Sequence, residues 1–94
     1  MEERLATVKS RLGIHARPSA LLVQAAAKFA SEITLAKDGL EINGKSIMGV
    51  MMLAAETGAK ILVRAEGKDE ADAARKMAEM IESKFDWPKG RHID

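Results

Sequence analysis

The chain has no cysteine and no tyrosine, and its aromatic residues are one tryptophan and two phenylalanines. Without cysteine there is no disulfide, no thiolate zinc site and no thiol chemistry, which fits a reducing compartment. So few aromatics argue against a surface that stacks nucleic-acid bases. Neither sign of charge predominates: 15 Lys and Arg stand against 14 Asp and Glu, for a net charge of +1. That balance argues against general nucleic-acid binding. No apolar run approaches the length of a membrane span, and Met1-Glu2-Glu3-Arg4 does not read as a signal peptide, so no membrane insertion is expected. No metal and no cofactor are expected either. Proline occurs only at 18 and 88, and histidine only at 15 and 92.

What is present describes one small domain. The chain has 94 residues, 47% of them hydrophobic, enough for one modest core. Leu5 to Val8 has the character of a first strand. Ala16 to about Ala30 reads as a helix whose Leu22, Ala25, Ala26 and Phe29 share one face. Ile33 and Leu35 alternate with Glu32 and Thr34 as in a half-buried strand. Asp38-Gly39 is a hairpin signal, because both residues tolerate positive φ. Leu40 and Ile42 return as the third strand, which Asn43-Gly44 ends. Ser46 to Leu53 reads as a short helix with Ser46 near its N-cap, and Ile61 to Glu66 as the fourth strand. Asp69 is placed to cap a last helix with the stripe Ala74, Met77, Ala78, Ile81 and Phe85.

The order is βαββαβα. It predicts an α+β fold, an open-faced β-sandwich with a four-stranded, largely antiparallel sheet and three helices on one face. Residues 1–86 are expected to form this domain. Residues 87–94, from Trp87 to Asp94, are expected to be a flexible extension. His92, lying in that extension, is not expected to be a site.

The most informative segment is Gly13-Ile14-His15-Ala16-Arg17-Pro18. Proline suits the first turn of a helix, so His15 falls at or next to the N-cap. Free backbone N–H groups and the positive end of the helix dipole meet there and favour an anion. A nucleophilic imidazole beside a guanidinium and free N–H groups suits a phosphoryl group. The plain alternative is an ordinary polar cap at His15 and a solvated side chain at Arg17.

Leu12 to Pro18 resembles the active-site signature of the HPr family, the histidine-containing phosphocarriers of the phosphoenolpyruvate-dependent sugar phosphotransferase system. Gly44-Lys45-Ser46-Ile47-Met48-Gly49-Val50-Met51 resembles the regulatory-serine segment of the same family, at the usual spacing. The likeness runs from about Glu3 to Phe85. It implies a bacterial, cytoplasmic carrier involved in sugar transport, a covalently modified intermediate with no enzymatic turnover of its own. His15 would take phosphate on Nδ1 from enzyme I, Arg17 would assist, and IIA domains of sugar permeases would receive it. A monomer is expected.

Ser46 has two readings, a helix cap or a phosphorylation switch. By resemblance, an HPr kinase/phosphorylase modifies this serine in bacteria that have one, and a catabolite-control transcription factor is then a further partner. Ile47, Met48 and Met51 would form the apolar docking patch beside the histidine; read from the residues alone, part of the cluster they make with Met52 must be core, while a short helix cannot bury every side and leaves one or two of them exposed. Three positions depart from the family pattern. Ser19 stands where alanine is usual, its hydroxyl free to bond back to the helix. Leu12 replaces a small polar residue, and Ala54-Ala55 stands where many members carry glycine. The alternative reading is a regulatory module of the same fold, either a nitrogen-related phosphorelay carrier or a coregulator acting through Ser46. Members of the latter sort lack the histidine.

Overall fold

The computed structural model describes residues 1–9, 14, 16–53 and 55–83. Leu12, His15, Ala54, Phe85, Trp87 and His92 lie outside the described residues, as do residues 87–94 altogether. The elements are β1 (Glu2–Thr7), α1 (Ala16–Ala26), β2 (Glu32–Lys37), β3 (Leu40–Asn43), α2 (Ile47–Met52), β4 (Lys60–Glu66) and α3 (Glu70–Glu82). This is the order read from the sequence.

The four strands form one sheet in the order β1-β4-β2-β3, and every adjacent pair is antiparallel. β1 and β2 therefore run in the same direction with β4 inserted between them, a split βαβ arrangement with α1 as the crossover. Period-two alternation aims Ala6, Ile33, Leu35, Ile61, Val63 and Ala65 at the helices, and all are buried. Leu22 and Ala26 of α1, Val50 of α2, and Ala73, Ala74, Met77 and Ile81 of α3 complete that core. Ala25, Phe29 and Ala78 pack at its margin.

The opposite sheet face carries charge. Arg64 bonds Glu3 on β1 at 3.0 Å and reaches across β2 to Glu41 on β3 at 3.6 Å. The β2–β3 turn is left-handed at both central residues, with φ 52° at Asp38 and 86° at Gly39, as the Asp-Gly signal requires.

Three local expectations need correction. β1 begins at Glu2 rather than Leu5, because pairing with Ala65, Arg64 and Val63 of β4 recruits charged residues that have no apolar signal of their own. Leu5 itself faces outward, 62% exposed, while Ala6 and Val8 point inward. α1 ends at Ala26 and gives way to a turn at 27–28.

The third correction concerns Asp69. It occupies the N-cap position of α3 but makes no side-chain cap bond. Its carboxylate instead accepts from Ala30 N and Ser31 N, both at 2.9 Å, and from Ser31 Oγ at 2.5 Å. Ser31 is fully buried and needs a partner, and that need outweighs the cap. Gly67 makes the approach possible: its φ is 151°, and a Cβ there would lie 2.7 Å from the Ser31 backbone. Asp69 thus ties the start of β2 to the start of α3.

Candidate functional site

Two segments that the sequence singled out meet where α1 begins. α1 opens at Ala16, directly after His15, with Arg17 half-buried and Pro18 buried in its first turn. Ile14, on the other side of His15, is buried, and its N–H donates to Ala55 O at 2.7 Å. Ala55 is buried as well and belongs to the loop that follows α2. The residue before the histidine is therefore anchored to the segment leaving α2, and α1 and α2 pack against each other. The geometry of the imidazole itself lies outside the described residues.

Ser19, one turn into α1, is fully buried, and its Oγ has no hydrogen-bond partner among the described residues. The bond back to the helix that this hydroxyl is free to make is not made to any described residue. Burial of an unpaired hydroxyl costs stability.

Ser46 caps α2. Its backbone is extended, with φ −109° and ψ 117°, and its Oγ accepts from Gly49 N at 3.1 Å. Ser46 O accepts from Val50 N at 2.9 Å, closing the first helical turn. The cap reading of Ser46 is thus met by the structure, and the side chain stays half-buried.

Val50 and the C-cap Leu53 face the core, which leaves the other side of α2 to solvent. Ile47 is 43% exposed, Met48 72% and Met51 46%. Met52, at 63%, belongs to the same surface, although the resemblance did not assign it to the patch; all four side chains of the cluster therefore face water, and the expectation that part of it is core is corrected, because Val50 and Leu53 take the core positions. Its spacing of four from Met48 on a helix was the available signal.

Lys45 is a residue that the sequence reading did not single out. Its Nζ donates to Phe29 O at 2.8 Å, just past the end of α1, and its N–H donates to Asn43 Oδ1 at 2.9 Å. It braces the turn before Ser46 against the neighbouring helix. Nothing in the sequence links positions 29 and 45. Among the described residues no three of His, Cys, Asp and Glu are grouped to hold a metal, and no helix is long and apolar enough to cross a membrane.

Comparison with known proteins gives a consistent result. The family model described as "PTS HPr component phosphorylation site" matches residues 2–83. The phosphocarrier protein HPr of Xylella fastidiosa (strain Temecula1) is 49% identical over 85 residues, covering 90% of this chain and 96% of that one. The crystal structure of HPr from Thermoanaerobacter tengcongensis superposes with a TM-score of 0.85 at 46% identity, covering 90% and 96% of the two chains. Crh of Bacillus subtilis, a catabolite-repression protein crystallised as a swapped-domain dimer, gives 0.70 at 43% identity over 86% and 93%.

Proposed function

The chain belongs to the PTS HPr family, which includes the phosphocarriers of the phosphotransferase system, and we propose that His15 is the residue that carries the phosphoryl group. The observation that carries this reading is the signature Gly13-Ile14-His15-Ala16-Arg17-Pro18 at the opening of α1, with Ile14 held in the core. A neutral ring nitrogen of His15 attacks phosphorus as the bond from phosphorus to the donor breaks. Arg17 and the N–H groups opening α1 stabilise the outer oxygens during transfer. The donor is enzyme I and the acceptors are IIA domains of sugar permeases, which places the carrier in the cytoplasm. Ile47, Met48 and Met51 are the apolar surface that both partners cover. The exposure of that side of α2 supports this reading.

Ser46 is the regulatory position in the same proposal. A phosphate there sits at the mouth of α2 beside the docking side chains, where added negative charge repels an acidic partner. A second reading, a regulatory module acting through Ser46, is favoured by the likeness to Crh. The presence of His15 weighs for the carrier. The monomer expected from the sequence is weakened by the swapped-domain dimer of that relative. Sedimentation at the concentration used for transfer assays decides between one copy and two.

The test is transfer of labelled phosphate from charged enzyme I to this protein and on to a IIA domain. Arg17→Ala is expected to slow acceptance by about 100-fold, the size of effect seen when one oxyanion donor is lost. Label that reaches His15→Ala as fast as the wild type would overturn the assignment.

A further inference from the structure

We propose that Met48, Met51 and Met52 form a reversible oxidation site on α2 whose modification weakens partner docking. The inference rests on the reading of Ile47, Met48 and Met51 as the docking surface.

The chain has six methionines and no cysteine, so its thioether sulfurs are its most readily oxidised groups. Three of the six stand together on one six-residue helix and open to solvent. The others are placed differently. Met77 is fully buried under the sheet, Met80 packs at the core margin, and Met1 is exposed at the start of β1, where its amine pairs with Glu70. Access therefore directs an oxidant to α2 and to Met1, and spares the core.

The co-reactant is a peroxide. A sulfur lone pair attacks one peroxide oxygen, an S–O bond forms as the O–O bond breaks, and a proton moves to the departing oxygen. The sulfur loses two electrons and becomes a sulfoxide, and hydrogen peroxide is reduced to water.

The fold tolerates this product, because Val50 and Leu53 hold α2 in place and the modified side chains remain in water. Docking does not tolerate it. A flexible apolar side chain suited to meeting several partners becomes a polar one, and a partner's apolar surface offers the sulfoxide oxygen no donor. Sulfoxide reductases reverse the change.

The full chain is treated with graded hydrogen peroxide, mapped by peptide mass, melted, and assayed for phosphoryl acceptance from charged enzyme I. Met48 and Met52 are expected to gain oxygen well before Met77, with the cooperative melt retained. Acceptance is expected to fall about tenfold, as burial of an unpaired polar group implies, and to recover after methionine sulfoxide reductase. The variant Met48→Leu/Met51→Leu/Met52→Leu, compared with itself before treatment, is expected to keep its rate. Unchanged acceptance in oxidised wild type, or an equal loss in the triple variant, overturns the proposal while leaving the carrier reading intact. Untreated wild type that takes no phosphate overturns the carrier reading and this inference with it.

Discussion

The backbone N–H of Ile14 donates to the carbonyl of Ala55 at 2.7 Å, joining the residue before His15 to the loop after α2. Both residues are buried, so the bond forms away from competing water. It couples the start of α1 to the helix bearing the exposed methionines.

Ile14→Ala removes the packing that holds this bond in place. A truncation of this kind in a core costs about 2–5 kcal/mol. Urea unfolding is expected to show a loss in that range, and phosphoryl acceptance under native conditions is expected to slow as Ile14 and the start of α1 lose their tie to Ala55. A loss under 1 kcal/mol, a bound set well below the truncation range, would mean that Ile14 does not anchor the segment.

Ser19→Ala is expected to stabilise the protein by about 1–3 kcal/mol, the cost of a buried hydroxyl left unpaired. The midpoint of denaturant unfolding is expected to rise with the m-value unchanged. A midpoint that falls would show that the hydroxyl has a partner.

Ser46→Ala removes the acceptor for Gly49 N and is expected to cost about 1 kcal/mol, as cap deletions do. Ser46→Asp is expected to keep most of that stability while slowing acceptance from enzyme I. Two variants that melt alike and transfer alike would contradict both roles given to Ser46.

Asp69 supplies a pH dependence of known sign. The Ser31 hydroxyl first, and then the N–H groups of Ala30 and Ser31, hold its carboxyl below the ordinary value of 3.8. A depressed carboxylate pKa contributes stability that is complete above the unfolded value and is lost as pH falls through the folded one. Asp69→Asn is therefore expected to melt lower than wild type at neutral pH, with the two melting curves converging below that value. A constant gap down to strong acid would show that the carboxylate charge does not act here.

Much of this molecule is legible in its sequence because short-range rules govern it. The Asp38-Gly39 turn, the alternation through Ile33 and Leu35, and the Ser46 cap each depend on residues a few positions apart. The start of β1 was not legible, because Glu2 to Arg4 become strand through pairing with β4 some sixty residues away. Asp69 does stand at the N-cap of α3, but its carboxylate is engaged elsewhere for the same reason: its partners, Ala30 and Ser31, come from another part of the chain. Lys45 and the bond from Ile14 to Ala55 are likewise long-range. The methionine surface was half legible. The sequence set the apolar residues on one short helix, but which side faced water depended on how α2 settles with Val50 and Leu53 inward.

The central claim is that His15 carries a phosphoryl group. It is tested most directly by the intact mass of the protein after incubation with phosphoenolpyruvate and enzyme I, before and after an acid wash. A gain of one phosphoryl group is expected, one that acid removes and that His15→Ala abolishes in a folded protein. A folded wild-type chain that gains no mass while a control carrier is phosphorylated, or a gain that persists in His15→Ala, would contradict it.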